Sequence, residues 1–173
     1  GDLINFSTLF NTPQTINLLT ALPNITRSIT IQGTGANLLT VRRDFNAATE
    51  FRIFSIGGPI TNGVAISGMT ITGGQSPGGG GILANSHLTL TRVHLSGNST
   101  SQPGGGLQLF EADGVITDST FSENQAVEGG GIDFSGLGRV LRVSNSTFSG
   151  NRSIANGAAI TNINGRLEVA NST

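Results

Sequence analysis

The sequence contains no Cys, Lys, Trp or Tyr, a single Met, and few charged residues of either sign. The absence of Cys excludes disulfide scaffolds, thiol enzymes and metal sites built on cysteine. All nine positive side chains are Arg, and a net charge of −1 at pH 7 is unlike the basic surface of a nucleic-acid binding protein. No apolar run approaches the roughly 20 residues that cross a bilayer. We therefore expect neither a nucleic-acid partner nor a membrane span in this segment.

Small and polar residues take the place of the missing charge. Charged residues make up 11% of the chain and hydrophobic residues 36%, while Gly alone accounts for 26 of the 173 positions. The hydrophobic fraction is too high for a disordered chain, and the regular Gly period of collagen is absent. Because the chain starts at Gly1 without an initiator Met or a signal segment, we expect it to be part of a longer product.

Two motifs alternate along the chain after residue 63. A strand-like segment aligns with itself five times without gaps, its starts lying 24, 26, 27 and 26 residues apart. Its copies begin at Val64, Leu88, Gly114, Leu141 and Leu167. Between the copies lies a Gly run followed by Ile or Leu, at 79–82, 104–107, 129–132 and, as Gly-Ala-Ala-Ile, at 157–160. Alternation of apolar with Ser or Thr residues, interrupted by Gly and Asn turns, favours stacked strands over a helical or leucine-rich repeat.

The repeat length indicates how many strands and turns one coil contains. At about 3.3 Å per residue, about 25 residues follow a path of roughly 80 Å, enough for three short strands and three turns. We predict an all-β fold, a single-stranded parallel β-helix (β-solenoid) of about six coils that stack strand on parallel strand. Residues 1–63 fit the period less well and are predicted to be N-terminal irregular or capping coils. Residues 64–173 are the regular repeats, and we expect the natural chain to continue beyond their unfinished last coil.

The alignment predicts which side chains stack inside the coil. One inward column reads Ile66, Leu90, Ile116, Val143 and Val169. A second column reads Ile71, Leu95, Phe121 and Phe148, so that the two Phe rings should lie on one another. Asn98, Asn124 and Asn151 share one turn position, where amide side chains can bond to turn backbone groups and to each other. We therefore predict a structural ladder made of Asn98, Asn124, Asn151, Phe121 and Phe148.

The charges separate along the chain. Six acidic residues and no Arg lie between Val93 and Gly138, with four Arg residues before Arg92 and four after Gly138. The acidic belt consists of Glu111, Asp113, Asp118, Glu123, Glu128 and Asp133. Such a belt is either an ordinary solvated surface or an interaction surface for further copies of the protein or for a charged polymer. Because Asp118 lies one repeat after Arg92, we also expect an ion pair between them on the surface.

No reaction centre stands out. Glycoside cleavage needs paired carboxylates, and no second acid shares a repeat position with Asp118, Glu123 or Asp133. His87 and His94 have no neighbouring His or Cys with which to hold a metal. We assign no catalytic or metal-ligating residue and expect no cofactor. The outward columns are rich in Ser and Thr, a composition compatible with a solvated face and also with one that binds glycans or ice.

Part of the sequence resembles known bacterial repeat proteins. The Gly-Gly-Gly-Ile runs, with Phe121-Ser-Glu-Asn124 and Phe148-Ser-Gly-Asn151, resemble the GGAI and FxxN repeats of polymorphic outer membrane proteins. Segments 12–18 and 28–41 are similar to bacterial β-helix proteins that carry a CSLREA motif, although that motif is absent here. Leu95 in place of Phe and Gly157-Ala-Ala in place of a Gly run also depart from the pattern. The resemblance implies a right-handed parallel β-helix on a secreted or surface-anchored bacterial protein.

These observations give two functional hypotheses of different classes. The first is a non-enzymatic, adhesin-like structural module that is secreted or lies at the cell surface. Its expected partners are other copies of the protein or cell-surface components, and glycans are a further possibility. The alternative is a carbohydrate-binding or carbohydrate-active β-helix of the polysaccharide lyase or glycosidase kind. The unfinished last coil also leaves open a filament subunit.

Overall fold

Three parallel sheets carry the fold, and the chain passes through them in turn about six times. The computed structural model describes residues 1–58 and 60–173. This arrangement confirms the prediction of an all-β parallel solenoid. In this described part of the chain, helix is limited to a single 3-10 turn at Thr8–Asn11, and no helix is long and apolar enough to cross a membrane.

The strands are short, as the frequent Gly and Asn residues require. In chain order they are β1 Asp2–Asn5, β2 Gln14–Leu18, β3 Ile29–Gln32, β4 Leu39–Arg43, β5 Phe54–Ile56, β6 Val64–Ser67, β7 Thr70–Thr72, β8 Ile82–Ala84, β9 Leu88–Thr91, β10 His94–Ser96, β11 Leu107–Phe110, β12 Gly114–Thr117, β13 Thr120–Ser122, β14 Gln125–Ala126, β15 Ile132–Ser135, β16 Val140–Ser144, β17 Thr147–Ser149, β18 Arg152–Ser153, β19 Ile160–Ile163 and β20 Arg166–Ala170.

In each sheet, successive strands come from successive coils. The first sheet has the order β1-β3-β6-β9-β12-β16-β20, the second β2-β4-β7-β10-β13-β17 and the third β5-β8-β11-β15-β19, while β14 and β18 form a separate pair. In the first sheet Val64 pairs with Leu88, Leu88 with Gly114, Gly114 with Leu141, and Leu141 with Leu167. This register confirms the gap-free alignment of the five repeat segments.

The N-terminal segment continues the same sheets. Strands β1 and β3 extend the first sheet and β2 and β4 extend the second, each in parallel register. The segment differs from the later coils in its corners between these two sheets. Eight residues, 6–13, join β1 to β2 and six residues, 33–38, join β3 to β4, whereas two residues form this corner in the later coils. The first coil also lacks a strand in the third sheet, where Ile25 makes a single bridge to Ile56. The poor fit of residues 1–63 to the period therefore arises from the long corners and from this missing strand.

The core consists of stacked columns of apolar side chains. Ile66, Leu90 and Leu95 are fully buried, as is Phe121. The ring of Phe121 stacks on that of Phe148, with centroids 5.0 Å apart and an interplanar angle of 10°. Burial of a Phe ring contributes about 2–3 kcal/mol, so each column adds substantially to stability.

The Gly runs and the Phe-x-x-Asn segments occur together because they pack against each other. A Cβ atom added to Gly106 would lie 3.2 Å from the Phe121 ring and 3.2 Å from the Asn124 amide nitrogen. A Cβ atom on Gly131 would similarly lie 3.1 Å from the ring of Phe148. The missing side chains thus make room for the aromatic stack and the Asn ladder. Close packing, more than turn conformation, explains the last Gly of each run.

Candidate functional site

A groove lies where the short corners of the later coils meet the long corners of the first two. The short corners consist of residues 68–69, 92–93 and 118–119, and the long corners 6–13 and 33–38 project beyond them. The open space between the two has a volume of about 1030 Å³. We call it the corner groove. Its shape follows directly from the difference in corner length.

Hydrogen bonds hold the projecting wall of the corner groove in place. The Thr34 hydroxyl donates to the Phe10 carbonyl at 2.7 Å, which joins the two long corners. The Thr70 hydroxyl donates to the Ala36 carbonyl at 2.6 Å and joins the wall to the next coil. Phe6 packs edge-on against Phe10, with ring centroids 5.0 Å apart. These contacts hold the wall in a defined position relative to the coils.

The side chains that line the corner groove are mainly polar and uncharged. Amide and hydroxyl side chains predominate, with one aromatic ring and three ionisable groups. The lining side chains that carry these groups are Asn5, Phe6, Asn11, Gln32, Thr34, Asn37, Arg92, His94, Asp118 and Thr120. The groove therefore offers many hydrogen-bond donors and acceptors, with Arg92 and Asp118 as the two permanent charges at neutral pH.

Arg92 and Asp118 do not form the expected ion pair. The ion pairs within 4.0 Å in the described residues are Arg139–Asp113, Arg142–Glu168 and Arg166–Glu168. Asp118 instead accepts a hydrogen bond at 3.2 Å from the Asn145 side chain of the following coil. Both Arg92 and Asp118 have left-handed backbone conformations, with φ of 52° and 53°, which cost roughly 1–2 kcal/mol each in a residue other than Gly. The expectation of a surface ion pair is wrong, and the two charges remain exposed in the groove.

His94 has a defined hydrogen-bond partner next to the groove. Its Nε2 atom lies 2.7 Å from the Ser122 hydroxyl oxygen on the neighbouring strand. Burial lowers the pKa of His94, and the nearby Glu123 carboxylate partly opposes that shift. His94 is therefore predominantly neutral at pH 7, when its ring can both donate and accept a hydrogen bond.

The Asn ladder runs along the turn that leaves the second sheet. The Asn98 side-chain nitrogen donates to the Ile71 carbonyl at 3.0 Å and to the Asn124 side-chain oxygen at 3.0 Å. Asn124 repeats this pattern, donating to the Leu95 carbonyl and to Asn151, both at 2.9 Å. Asn98 and Asn124 are fully buried. The ladder satisfies buried polar groups and leaves no surface for a ligand, so its role in the structure is to join the coils.

The acidic residues surround the coil instead of forming one patch. Asp113 accepts from the Val140 backbone and lies 3.7 Å from Arg139, and Glu128 accepts from the Asn156 side chain at 2.9 Å. Glu111, Asp118 and Glu123 are exposed at turns. Asp133 is only 1% exposed. Its assignment to an interaction surface is wrong, because a loop covers the outward face of its strand.

Sequence reasoning missed most of the corner groove. The lining residues before position 38 belong to the segment that fits the repeat poorly, and their role depends on the projection of the two long corners. The one available signal is the turn-rich stretch 33–37, Gly-Thr-Gly-Ala-Asn, which separates two apolar, strand-like stretches. No group of three or more His, Asp or Glu side chains is placed to hold a metal ion in residues 1–58 and 60–173.

Comparison with known proteins identifies the family. Neither the curated proteins nor the solved structures gave a match to this chain. A family model described as a right handed beta helix region matches residues 11–173, which is most of the chain. The match covers the second long corner and all the regular coils and agrees with the parallel stacking of the three sheets. The chain therefore belongs to the right-handed β-helix family.

Proposed function

We propose that this β-helix is an adhesin-like structural module of a secreted or cell-surface protein and that its corner groove binds carbohydrate. The observation that carries the proposal is the lining of the groove: amides, hydroxyls, one aromatic ring and one exposed charge of each sign. Sugars present a dense array of hydroxyl groups, which such side chains match as donors and acceptors. Phe6 adds an apolar ring against which the C–H face of a sugar can pack.

The shape of the groove favours a chain-like ligand. It is open and runs along the corner, with a volume of about 1030 Å³. Its wall is tied down by the hydrogen bonds of Thr34 and Thr70, so little conformational freedom is lost on binding. These features support the binding of several sugar residues of an oligosaccharide or polysaccharide.

The extracellular setting rests on the repeat motifs. The Gly-Gly-Gly-Ile runs and the two Phe-x-x-Asn segments are similar to those of polymorphic outer membrane proteins, and the N-terminal segments to CSLREA-type β-helix proteins. The partners we propose are cell-surface glycans, other surface components and further copies of the protein. Detection of the intact natural protein in the medium or outer fraction of its cells would support this placement, and its retention in the cytoplasm would contradict it.

A second candidate is a carbohydrate-active enzyme. Asp118 and His94 both line the groove, and the lowered pKa of His94 makes it a possible base at neutral pH. Hydrolysis by the two-carboxylate mechanism requires a second acid within about 5–9 Å. Asp118 is the one carboxylate that contributes to the groove lining in the described residues. We therefore prefer binding without cleavage.

Glycan binding by the purified chain is the direct test. We expect binding to a subset of an oligosaccharide panel, and a loss of affinity of about 10-fold or more in Arg92→Ala, because a charge-assisted hydrogen bond contributes about 1.5–3 kcal/mol. Isothermal titration with the best ligand of a glycan array gives the affinities. Arg27→Ala is the matched control, since Arg27 is an exposed Arg outside the groove, and it should leave the affinity unchanged.

The outcomes separate the two candidates. Binding without release of sugar supports the adhesin-like module. Release of reducing or unsaturated sugars that Asp118→Asn abolishes would establish the enzyme in its place. No binding to any glycan, or equal losses in Arg92→Ala and Arg27→Ala, would contradict the role of the corner groove.

A further inference from the structure

The loops that contain the Gly runs cover part of the outward face of the third sheet. Asp133 occupies an outward position on β15, between Gln108 of the preceding coil and Thr161 of the following one. A Cβ atom added to Gly129 would lie 2.6 Å from the Asp133 backbone nitrogen, which shows how closely the loop approaches this strand. Asp133 is consequently 1% exposed although it points away from the core.

The buried carboxylate of Asp133 lacks adequate partners. Its Oδ1 atom has no hydrogen bond and is the one buried side-chain oxygen or nitrogen without a partner among residues 1–58 and 60–173. Its Oδ2 atom has a single long contact, 3.5 Å, with the Gln108 side-chain nitrogen. None of the ion pairs in the described structure involves Asp133 or Glu128, and the chain contains no Lys. A buried carboxylate in this situation must be protonated or bound to a cation.

The covering loop also brings in Glu128, which directly precedes Gly129, the residue that approaches the Asp133 backbone. The Glu128 carboxylate accepts a hydrogen bond at 2.9 Å from the Asn156 side chain, which also carries an amide oxygen. The Asn156 backbone oxygen accepts bonds from Gly129 and from Thr161, at 3.1 and 3.0 Å. Asn156 is thus held beside Gly129 and beside Thr161, which is the sheet neighbour of Asp133, and Glu128 is held to Asn156. Burial raises the pKa of Asp133 to about 6, and the negative charge of Glu128 adds to that shift.

We propose that Asp133 and Glu128 bind a calcium ion, with an oxygen of Asn156 and water completing its coordination. Calcium is preferred because it takes six to eight oxygen ligands in flexible geometry, whereas Mg²⁺ demands a strict octahedron. The ion would neutralise two carboxylates for which the protein supplies no positive side chain. It would also connect two consecutive coils, those of Asp133 and Asn156, and so stabilise the stack from outside the core. This inference does not rest on carbohydrate binding in the corner groove.

Thermal unfolding with and without calcium tests the site. The purified chain is dialysed against EDTA at pH 8, and its Tm is followed by far-UV circular dichroism as CaCl₂ is added. We expect the Tm to rise by about 5–10 °C when calcium reaches 100 times its Kd, and isothermal titration to give one binding event per chain. Asp133→Asn should abolish both signals, and Glu128→Gln should weaken calcium binding at least 10-fold. The same concentration of MgCl₂ should have a smaller effect.

The controls separate loss of binding from loss of folding. In EDTA, Asp133→Asn should melt at or above the temperature of the wild type, because it removes an unpaired buried charge. Glu111→Gln, a change at an exposed acid of the same belt, should keep the full calcium response. The proposal is overturned if calcium leaves the wild-type Tm unchanged and gives no binding heat, or if Asp133→Asn responds to calcium as the wild type does.

Discussion

Replacement of Phe121 by Asp is expected to lower the free energy of unfolding by about 5 kcal/mol or more, since truncating a buried Phe alone costs about 3–5 kcal/mol. The Phe121 side chain is fully buried and stacks on Phe148 at 5.0 Å. The variant would lose this packing and place an unpaired charge inside the stack of coils. Urea unfolding followed by far-UV circular dichroism is the appropriate measurement, because the chain has no Trp or Tyr to provide a strong fluorescence signal.

Two further variants keep this prediction testable if Phe121→Asp fails to fold. Phe121→Leu should cost only about 1–2 kcal/mol, because Leu95 fills the same column position in the preceding coil and Leu keeps most of the buried apolar volume. Ser149→Asp is the matched control for the introduced charge, at an exposed outward position next to Phe148, and should change stability by less than about 0.5 kcal/mol. Equal losses in Phe121→Asp and Ser149→Asp would overturn the assignment of inward and outward faces.

Substitution of Gly105 by Ala is the second change with a large expected effect, a loss of about 3 kcal/mol. A Cβ atom at Gly105 would lie 2.3 Å from the Gly130 carbonyl oxygen and 2.8 Å from the backbone nitrogen and oxygen of Gln125. These are backbone atoms of the next coil, so the clash is relieved only by moving the coils apart. The urea midpoint should fall accordingly, because the sheets, the aromatic stack and the Asn ladder all depend on that spacing.

Gly138→Ala provides the control for the loss of a Gly residue. Gly138 has a positive φ of 74°, but nothing lies within 4 Å of an added Cβ atom. Its replacement should therefore cost only the backbone strain, roughly 1 kcal/mol. A loss in Gly105→Ala no larger than that in Gly138→Ala would show that close contact between coils is not the reason for the Gly runs.

The sequence was sufficient to predict the coil because each repeat carries the same pattern. A strand period of two, a segment that aligns without gaps and a shared Asn position allow only one register, since a shift by one residue would turn every apolar side chain outward. The pairings of Val64 with Leu88 and of Phe121 with Phe148 follow from that constraint. The strand pairing in the regular coils could therefore be predicted from the sequence alone.

The corner groove and the burial of Asp133 could not be predicted from the repeat pattern. The groove depends on how far residues 6–13 and 33–38 project, and the length of a loop does not determine its path. Asp133 has an outward position in the repeat, where the pattern predicts exposure, but a loop from its own coil crosses over it. Both features arise from irregular segments, which a repeat pattern does not constrain.

Engineered cross-linking is the most direct test of the stacked coils, because the chain has no natural Cys to interfere. Thr91 and Thr117 are register partners on adjacent strands of the first sheet. Cys residues at these two positions should form a disulfide on mild oxidation, since paired strands lie about 4.8 Å apart and a disulfide bridges Cα atoms about 4.4–6.8 Å apart. Cys residues at Thr89 and Thr117 lie two residues out of register and should remain reduced. Rapid bridging of the first pair alone, measured by mass spectrometry of proteolytic fragments, is the predicted result, and equal bridging of both pairs or of neither would contradict the β-helix register.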